Sequence, residues 1–268
     1  MLNEPSDVEE RTRLVVSELK NLLPDVLMLQ EVLDIEFNAA RYIADELGYS
    51  GIQYGDFVTH SFNKEQYGCV TLSRKPFDDF AVLHEPAEGI NIVPSVATIF
   101  TLNGVKWSFI NNHFAWGSRA EHRRLTQAKM NTEYARARKS ESLDSVIVMA
   151  GDLNAVPEAS SIRYLDGLDT FDSDSDLWVD AWKTCGLPSN EMTTRNDNYL
   201  AHRTARGVGI SYPEMIPERR IDYIKVYGWA YGRNGCPINF GRWGDSISQK
   251  DIHASDHYGI YADLLVLD

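Results

Sequence analysis

Short apolar segments that each lead to an acidic, amide or imidazole side chain recur along the 268-residue chain. Val26–Leu29 leads to Glu31, and Val146–Ala150 leads to Asp152 and Asn154. Four more polar side chains fall at predicted strand ends: His113, Asp222, Asp256 and His257. Carboxylates gathered in this way repel one another unless a cation lies among them, and hard oxygen ligands favour Mg²⁺, Mn²⁺ or Ca²⁺ over Zn²⁺. The pattern predicts a metal-dependent hydrolase.

Helical and strand patterns are mixed throughout the chain. Apolar residues from Leu14 to Leu23 recur at helical spacing, and Pro24 is expected to end that helix. Further helices are predicted at 37–47, 119–138 and 159–165, and strands at 26–29, 68–73, 77–83, 96–102, 107–112, 146–150, 221–226 and 258–267. The four strands from 68 to 112 are predicted to form a meander, and 166–218 to be loop-rich. This mixture predicts an α/β fold in which two mixed β-sheets pack face to face with helices outside.

Composition limits the class of protein. The length fits one domain, with no apolar run long enough to span a bilayer. A net charge of −13 argues against tight non-specific binding to nucleic acid, although nucleic acid stays open as a substrate. Arginines could guide an anionic substrate locally, or they could be ordinary solvated charges. They are Arg119, Arg123 and Arg124 in one group, and Arg219 and Arg220 in another.

The cysteines and the first residues bear on the compartment. Cys69, Cys185 and Cys236 are far apart and odd in number, so they form neither a disulfide framework nor a CxxC metal site. This favours a reducing, cytoplasmic compartment. Residues 1–25 lack the apolar core of a secretory signal, and a signal upstream of Met1 stays open. We expect a monomer.

Five short motifs resemble, in order and spacing, those of the endonuclease/exonuclease/phosphatase superfamily, which includes DNase I and the abasic-site endonucleases. Each motif alone is weak, whereas all of them in sequence are a strong signal. The resemblance implies a DNase I-like four-layer α/β sandwich and hydrolysis of a phosphate ester by an activated water. The motifs are Leu29–Glu31, Tyr67–Gly68 with Leu72–Arg74, Gly151–Asn154, Arg220–Tyr223 and Ser255–His257.

The resemblance also implies a role for each motif residue. Glu31 resembles the principal metal ligand, and Asp256 would support the metal from the opposite side. Asp152 would orient or deprotonate the attacking water. Asn154, two positions along the same strand end, would face the same way and donate a hydrogen bond to the phosphate. His257 would donate a hydrogen bond or a proton at the phosphate.

Two further histidine-related expectations follow from the resemblance. Asp222 would pair with His257 and fix its tautomer. His113 resembles a second phosphate-binding acid of the DNase I-like branch, and it argues against the abasic-site branch, which tends to place tyrosine there. For the carboxylate that supports this histidine in DNase I, Glu88 is a guess.

The amino end departs from the family pattern. The family begins with a core strand that ends in an asparagine at the phosphate site, and only Met1 and Leu2 precede Asn3 here. Either Asn3 is that residue on a short stub, or all or most of the first strand is missing from residues 1–268. In the second case, the neighbouring strands would expose unpaired backbone groups.

The substrate is open at this stage. A phosphodiesterase is the first hypothesis, with a DNA or RNA nuclease of the same fold and a non-catalytic binding protein as alternatives. The acidic net charge leans slightly toward a small or lipid-like phosphodiester over nucleic acid. Late aromatic residues could stack on a base or sugar, although packing is the commoner role for such rings. They are Trp229, Tyr231, Phe240 and Trp243.

Overall fold

The computed structural model describes residues 5–59, 64–85, 92–207, 209–248 and 252–267. Six α-helices lie in these ranges, of which the first ends two residues before Pro24, as predicted. The helices are α1 (Pro5–Leu22), α2 (Ala39–Leu47), α3 (Glu121–Glu141), α4 (Ser160–Leu165), α5 (Ala181–Cys185) and α6 (Tyr199–Gly207). None of the helices in the described ranges is both long enough and apolar enough to cross a bilayer.

The described strands form three groups. The first sheet has the order β1-β4-β2, with β3 also paired to β4, and it consists of β1 (Val26–Leu33), β2 (Gly51–Tyr54), β3 (Val58–Thr59) and β4 (Gln66–Ser73). The second has the order β5-β6-β7-β8-β10-β9, from β5 (Asp79–Leu83), β6 (Ser95–Leu102), β7 (Val105–His113), β8 (Val146–Asp152), β9 (Trp178–Asp180) and β10 (Asp222–Tyr227). A hairpin of β11 (Pro237–Trp243) and β12 (Gly259–Leu264) completes the set.

The predicted meander is right for three strands and wrong for the fourth. β5, β6 and β7 are antiparallel neighbours, but β4 pairs with β1 in the other sheet. Seven of the eight β4 residues are buried, because this strand lies in the interior of its sheet and is covered on both faces. A local pattern of short strands cannot show which sheet a strand joins. The predicted loop region 166–218 also contains β9, α5 and α6.

A buried amide joins the two main sheets. Asn111 of β7 is fully buried, and its Nδ2 donates to the backbone oxygens of Leu29 and Val70, each at 3.1 Å. Its Oδ1 accepts a hydrogen bond from Gln30 Nε2 at 2.7 Å. Because a buried amide without partners costs free energy, these bonds favour one relative placement of the sheets. Phe109 and Val148 of the second sheet pack in the same apolar cluster as Met28 of the first.

Among the described residues, two of the strands that have an open edge, β1 and β12, lie beside the same cavity. Within the described ranges β1 has only β4 as a neighbour, and β12 has only β11. Both strands line this cavity of about 330 Å³, together with α1, and the lining extends to Glu31 and His257. An extended segment there would find open edges to pair with. The loss of a first strand stays a prediction, because Asn3 and residues 1–4 lie outside the described residues.

Candidate active site

Three adjacent strands place ionisable side chains next to one another at one end of the six-stranded sheet. In the parallel pair β7–β8, His113 lies opposite Asp152. In the antiparallel pair β8–β10, Asp152 lies opposite Asp222. Sheet register therefore brings residues 113, 152 and 222 into one row with Asp152 at its centre.

A glycine permits the close approach of β7 and β8 beside this row. Gly151 has a φ of +130°, which L side chains rarely adopt, and a Cβ at this position would lie 2.0 Å from the backbone oxygen of Asn112. Glycine is therefore required for conformation and for space. Asn112 is itself held in place, because its Oδ1 accepts hydrogen bonds from Ser95 Oγ at 2.7 Å and Asn131 Nδ2 at 2.6 Å.

We expect Gly151→Ala to lower the free energy of unfolding by about 1–3 kcal/mol and to lower activity, because Asp152 must shift with the strand. Gly104→Ala is a matched control, since Gly104 also has a positive φ but nothing lies within 4 Å of an added Cβ. Urea unfolding of both variants separates the backbone strain that they share from the clash specific to residue 151. Equal losses in the two variants would contradict the assignment of a steric role to Gly151.

Asn154 does not lie on the strand as predicted. β8 ends at Asp152, and Asn154 has a φ of +50° in the following turn. Its backbone nitrogen donates to Asp152 Oδ1 at 2.8 Å, and its Nδ2 donates to the oxygen of Phe114 at 3.0 Å. The turn, rather than strand alternation, places this amide beside Asp152, because an Asp side chain readily accepts a bond from the backbone two residues on. Among the described residues, no acceptor is bonded to the second hydrogen of this amide.

A bulge in β1 presents Glu31. The register of β1 against β4 shifts between Leu29 and Val32, and Glu31 has a φ of +56°. A bulge redirects a side chain out of the regular alternation of a strand. Glu31 Oε1 lies 3.4 Å from His113 Nε2, and Asp152 Oδ2 lies 3.8 Å from the same nitrogen. Glu31 is therefore part of the same site as the row of residues 113, 152 and 222.

His113 is buried among these carboxylates. Its side chain is 5% exposed, and burial lowers its pKa. The ring of Tyr67, from another predicted motif, meets the imidazole edge-on at 6.0 Å between centroids. His113 Nδ1 has no hydrogen-bond partner among the residues that the structure describes. Glu88, the guessed supporting carboxylate, lies outside those residues.

His257 and Asp222 form the expected pair. His257 Nδ1 lies 3.0 Å from Asp222 Oδ2. Burial alone would lower the pKa of His257, but attraction to the Asp222 carboxylate raises it to about 10. The ring is therefore cationic at neutral pH, and its second nitrogen is a charged donor.

Thr193 places the start of β10, since its Oγ1 accepts from the nitrogens of Ile221 and Asp222 at 3.2 and 3.3 Å.

Asp152 has the properties of a base. Burial, with repulsion from Asp222, raises the pKa of Asp152 to about 6. A carboxylate with this pKa is mostly ionised at pH 7 but is more basic than an ordinary aspartate. Ligand atoms of Asp152, Asp222 and His257 all lie within 4.8 Å of one another, a spacing that could hold a metal ion. The same group also combines a basic carboxylate with an imidazole that is paired to Asp222, an arrangement that can transfer protons.

Asp256 lies in the loop before β12, is 7% exposed, and precedes His257 in the chain. Nearby is Arg11 of α1, which the sequence analysis did not identify as a site residue. Its Nε donates to the oxygen of Ala254 at 3.0 Å, and burial lowers its pKa while Asp256 and Glu31 raise it. Arg11 thus experiences the charge of both predicted metal ligands. A lone arginine on an amphipathic helix gives no sequence signal of this role.

The predicted basic patches are only partly surface features. Arg124 is 6% exposed and Arg220 is 3% exposed, so neither is a solvated charge. Arg220 Nη1 lies 2.9 Å from Asp180 Oδ2, and Lys225 Nζ lies 3.2 Å from the same oxygen. Of the late aromatic residues, Phe240 is buried and Trp243 packs against the apolar cluster that contains Val16 and Leu27. Trp229 and Tyr231 are exposed and contact each other with ring centroids 5.1 Å apart.

Comparison with known proteins gives a family match over nearly the whole chain. The profile described as "Endonuclease/Exonuclease/phosphatase family" matches residues 2–257. No curated protein sequence matches the chain. The match spans all five motifs identified in the sequence, from Glu31 to His257.

Several solved structures share the fold. Truncated TDP2 from Caenorhabditis elegans is 20% identical with a TM-score of 0.70, over 98% of this chain and 93% of that one. TDP2 from D. rerio, complexed with a single-strand DNA product, is 17% identical with a TM-score of 0.67, over 98% and 94%. A family protein from Leptotrichia buccalis is 15% identical with a TM-score of 0.67, over 99% and 95%. At these identities the likeness establishes the fold alone, and it confirms the predicted DNase I-like sandwich.

Proposed function

Because the chain belongs to the endonuclease/exonuclease/phosphatase family, we propose that it hydrolyses a phosphodiester by in-line attack of a water molecule that Asp152 activates. The observation that carries this proposal is the row of His113, Asp152 and Asp222, with His257 paired to Asp222 at 3.0 Å. The row combines a basic carboxylate with a cationic donor, as hydrolysis of an anionic ester requires.

The donors around Glu31 fit a hard divalent cation. Two carboxylates, Glu31 and Asp152, converge on His113 Nε2 at 3.4 and 3.8 Å, and burial keeps that imidazole from offsetting their charge by protonation. Such a site is stabilised by a cation with oxygen ligands. In the proposal Glu31 and Asp256 hold Mg²⁺ or Mn²⁺, and Ca²⁺ also suits these ligands. The bound ion would neutralise charge on the phosphoryl oxygens.

The remaining roles follow from the geometry of the side chains. Asp152 accepts the proton of the attacking water, because burial has raised its basicity. His257 donates a charged hydrogen bond to a phosphate oxygen, and Asp222 keeps the ring charged and oriented. Asn154 donates its second amide hydrogen to the phosphate, and His113 donates through Nε2 when that nitrogen carries the proton. These donors stabilise charge that grows as water attacks, so no covalent intermediate is needed.

Two assays run in parallel test the proposal. One measures hydrolysis of bis(p-nitrophenyl) phosphate with Mg²⁺, and the other measures nicking of supercoiled plasmid. Release of nitrophenol without nicking indicates a small-substrate phosphodiesterase, and activity on both substrates indicates a nuclease. The D. rerio TDP2 structure with a single-strand DNA product makes the second result plausible for this fold. Activity on neither would contradict the proposal and leave a binding protein.

Removal of the metal should abolish turnover. We expect EDTA to bring nitrophenol release to background and Mg²⁺ or Mn²⁺ to restore it. Glu31→Gln should raise the Mg²⁺ concentration for half-maximal activity by about 10-fold or more, because it removes a charged ligand. Glu46→Gln is the matched control, since the ion pair of Glu46 among the described residues is an exposed one with Lys20. Full activity in EDTA, or an unchanged Mg²⁺ requirement in Glu31→Gln, would contradict the metal assignment.

A further inference from the structure

A second cavity opens next to the candidate site, with His113 in its lining. It has a volume of about 470 Å³ and is lined by His113, Tyr67, Val93 and the segment that follows β7. A cavity of this size can hold one nucleoside or a comparable organic group. Because His113 lines it, an occupant would lie next to the reacting phosphate.

An exposed tryptophan lies on the loop that lines this cavity. Trp116 is 61% exposed. The loop around it is held by buried polar groups, since Arg124 Nη1 donates to the oxygens of Ala115 and Gly117, each at 2.9 Å. Gln127 Oε1 accepts from the nitrogen of Ala115 at 2.9 Å. Hydrogen bonds on both sides of Trp116 fix the backbone, and most of the side chain is exposed, which suits a platform for an aromatic ligand.

The charge of the cavity is unlike that of the whole chain. Arg119, His122 and Arg123 line it, and no carboxylate does among the described residues. Arg123 is already paired, because its Nη1 lies 3.3 Å from Glu85 Oε1. Arg119 and His122 are exposed and make no ion pair among the described residues. In a protein of net charge −13, this local positive surface favours an anionic occupant.

We propose that Trp116, Arg119 and His122 form a subsite for one unstacked nucleotide beside the scissile phosphodiester, called here the 116–122 subsite. This inference rests on the proposed function, and it names the substrate as a nucleotide ester. Trp116 stacks on the base, Arg119 attracts the adjoining phosphate by its charge, and His122 donates a hydrogen bond to that phosphate. A base can reach the ring only if it is free of its neighbours, so a single strand or a free nucleotide fits and a closed duplex does not.

Calorimetric binding tests the subsite without requiring turnover. The Asp152→Asn protein with Mg²⁺ is titrated with thymidine 5′-monophosphate and with deoxyribose 5-phosphate, which carries the same anion without a base. We expect the nucleotide to bind about 5- to 100-fold more tightly, the range for one stacked base. Adding Trp116→Ala should remove this difference, whereas adding Trp229→Ala, another exposed tryptophan outside the cavity, should keep it. Circular dichroism checks the fold of each variant.

Further titrations test the role of Arg119 and the source of the nucleotide. Arg119→Gln should weaken both ligands by about 2- to 5-fold, as expected for an exposed charge. A single-stranded thymidine hexanucleotide should bind at least as tightly as the free nucleotide if the source is nucleic acid, and more weakly if the site serves free nucleotides. A blunt hairpin duplex should bind worse than either.

Two results would overturn the 116–122 subsite. One is equal affinity of the parent protein for the nucleotide and for deoxyribose 5-phosphate, and the other is a preference for the nucleotide that survives Trp116→Ala. Either result leaves the proposed function intact if bis(p-nitrophenyl) phosphate is hydrolysed. Conversely, absent hydrolysis with normal nucleotide discrimination would refute the reaction and keep the subsite.

Discussion

Asp152→Asn should lower kcat for bis(p-nitrophenyl) phosphate by about 10²- to 10⁴-fold, the usual contribution of a general base. Asparagine keeps an oxygen that can accept the hydrogen bond from the nitrogen of Asn154, now 2.8 Å long, so the turn after β8 is retained. What is lost is the ability to take a proton from water. The fold should be unchanged, because the substituted side chain has nearly the same volume.

The measurement is steady-state kinetics beside thermal unfolding of each protein. Asp45→Asn is the matched control, since the ion pair of Asp45 among the described residues is an exposed one with Arg41 on α2. His257→Ala should lower kcat by about 100-fold or more, because it removes a charged donor to the phosphate. Near-normal turnover in Asp152→Asn, with Asp45→Asn unchanged, would show that another group activates the water.

Asp180→Asn should destabilise the protein by about 3–5 kcal/mol, as removal of one partner from a buried ion pair commonly does. Asp180 is 4% exposed and lies between two buried cations. Arg220 Nη1 is 2.9 Å from its Oδ2, and the fully buried Lys225 is 3.2 Å from the same atom. In the variant, Lys225 retains its ion pair with Asp166 at 2.5 Å. Arg220 retains Glu191 at 4.0 Å and the rings of Trp182 and Tyr223.

Asparagine at position 180 keeps the oxygen that caps α5, which accepts from the nitrogen of Trp182 at 3.0 Å. The expected loss is therefore caused by the missing charge and not by an uncapped helix. Urea unfolding measures it, with Asp45→Asn again as an exposed control whose midpoint should not move. A loss no larger than that of the control would mean that the cations are solvated or paired elsewhere. Activity should fall only to the extent that the substitution displaces β10 and, with it, Asp222.

The five motifs of the sequence correctly indicated the family and its fold. The residues predicted to be catalytic are all described by the structure, and they lie in one site. Sheet register joins three of them, residues 113, 152 and 222. Their chemical roles stay predictions until the substitutions are measured. The sequence alone could not place Asn154, because strand alternation predicts side-chain direction only inside a strand and this residue lies in a turn with a φ of +50°.

Other errors have a common physical origin. Arg124 and Arg220 were grouped with surface charges, since sequence spacing does not show burial, yet both hold buried oxygens in place. The sequence pattern groups β4 with the meander because neighbouring strands usually pair, but a helix and two strands separate β4 from its partner β1 along the chain. Arg11 and Thr193 show no sequence pattern, because each acts through contacts with distant segments of the chain.

The sequence by itself determined which side chains are available for chemistry, because acids, amides and histidines at the ends of apolar segments must meet where strands meet. Only the tertiary structure decided their pairing, their burial and therefore their ionisation. The pKa of Asp152 rises to about 6 through burial and the neighbouring Asp222, and that of His257 rises to about 10 through the same carboxylate. These shifts depend on distances of a few ångströms between residues far apart in the chain, which no local pattern encodes.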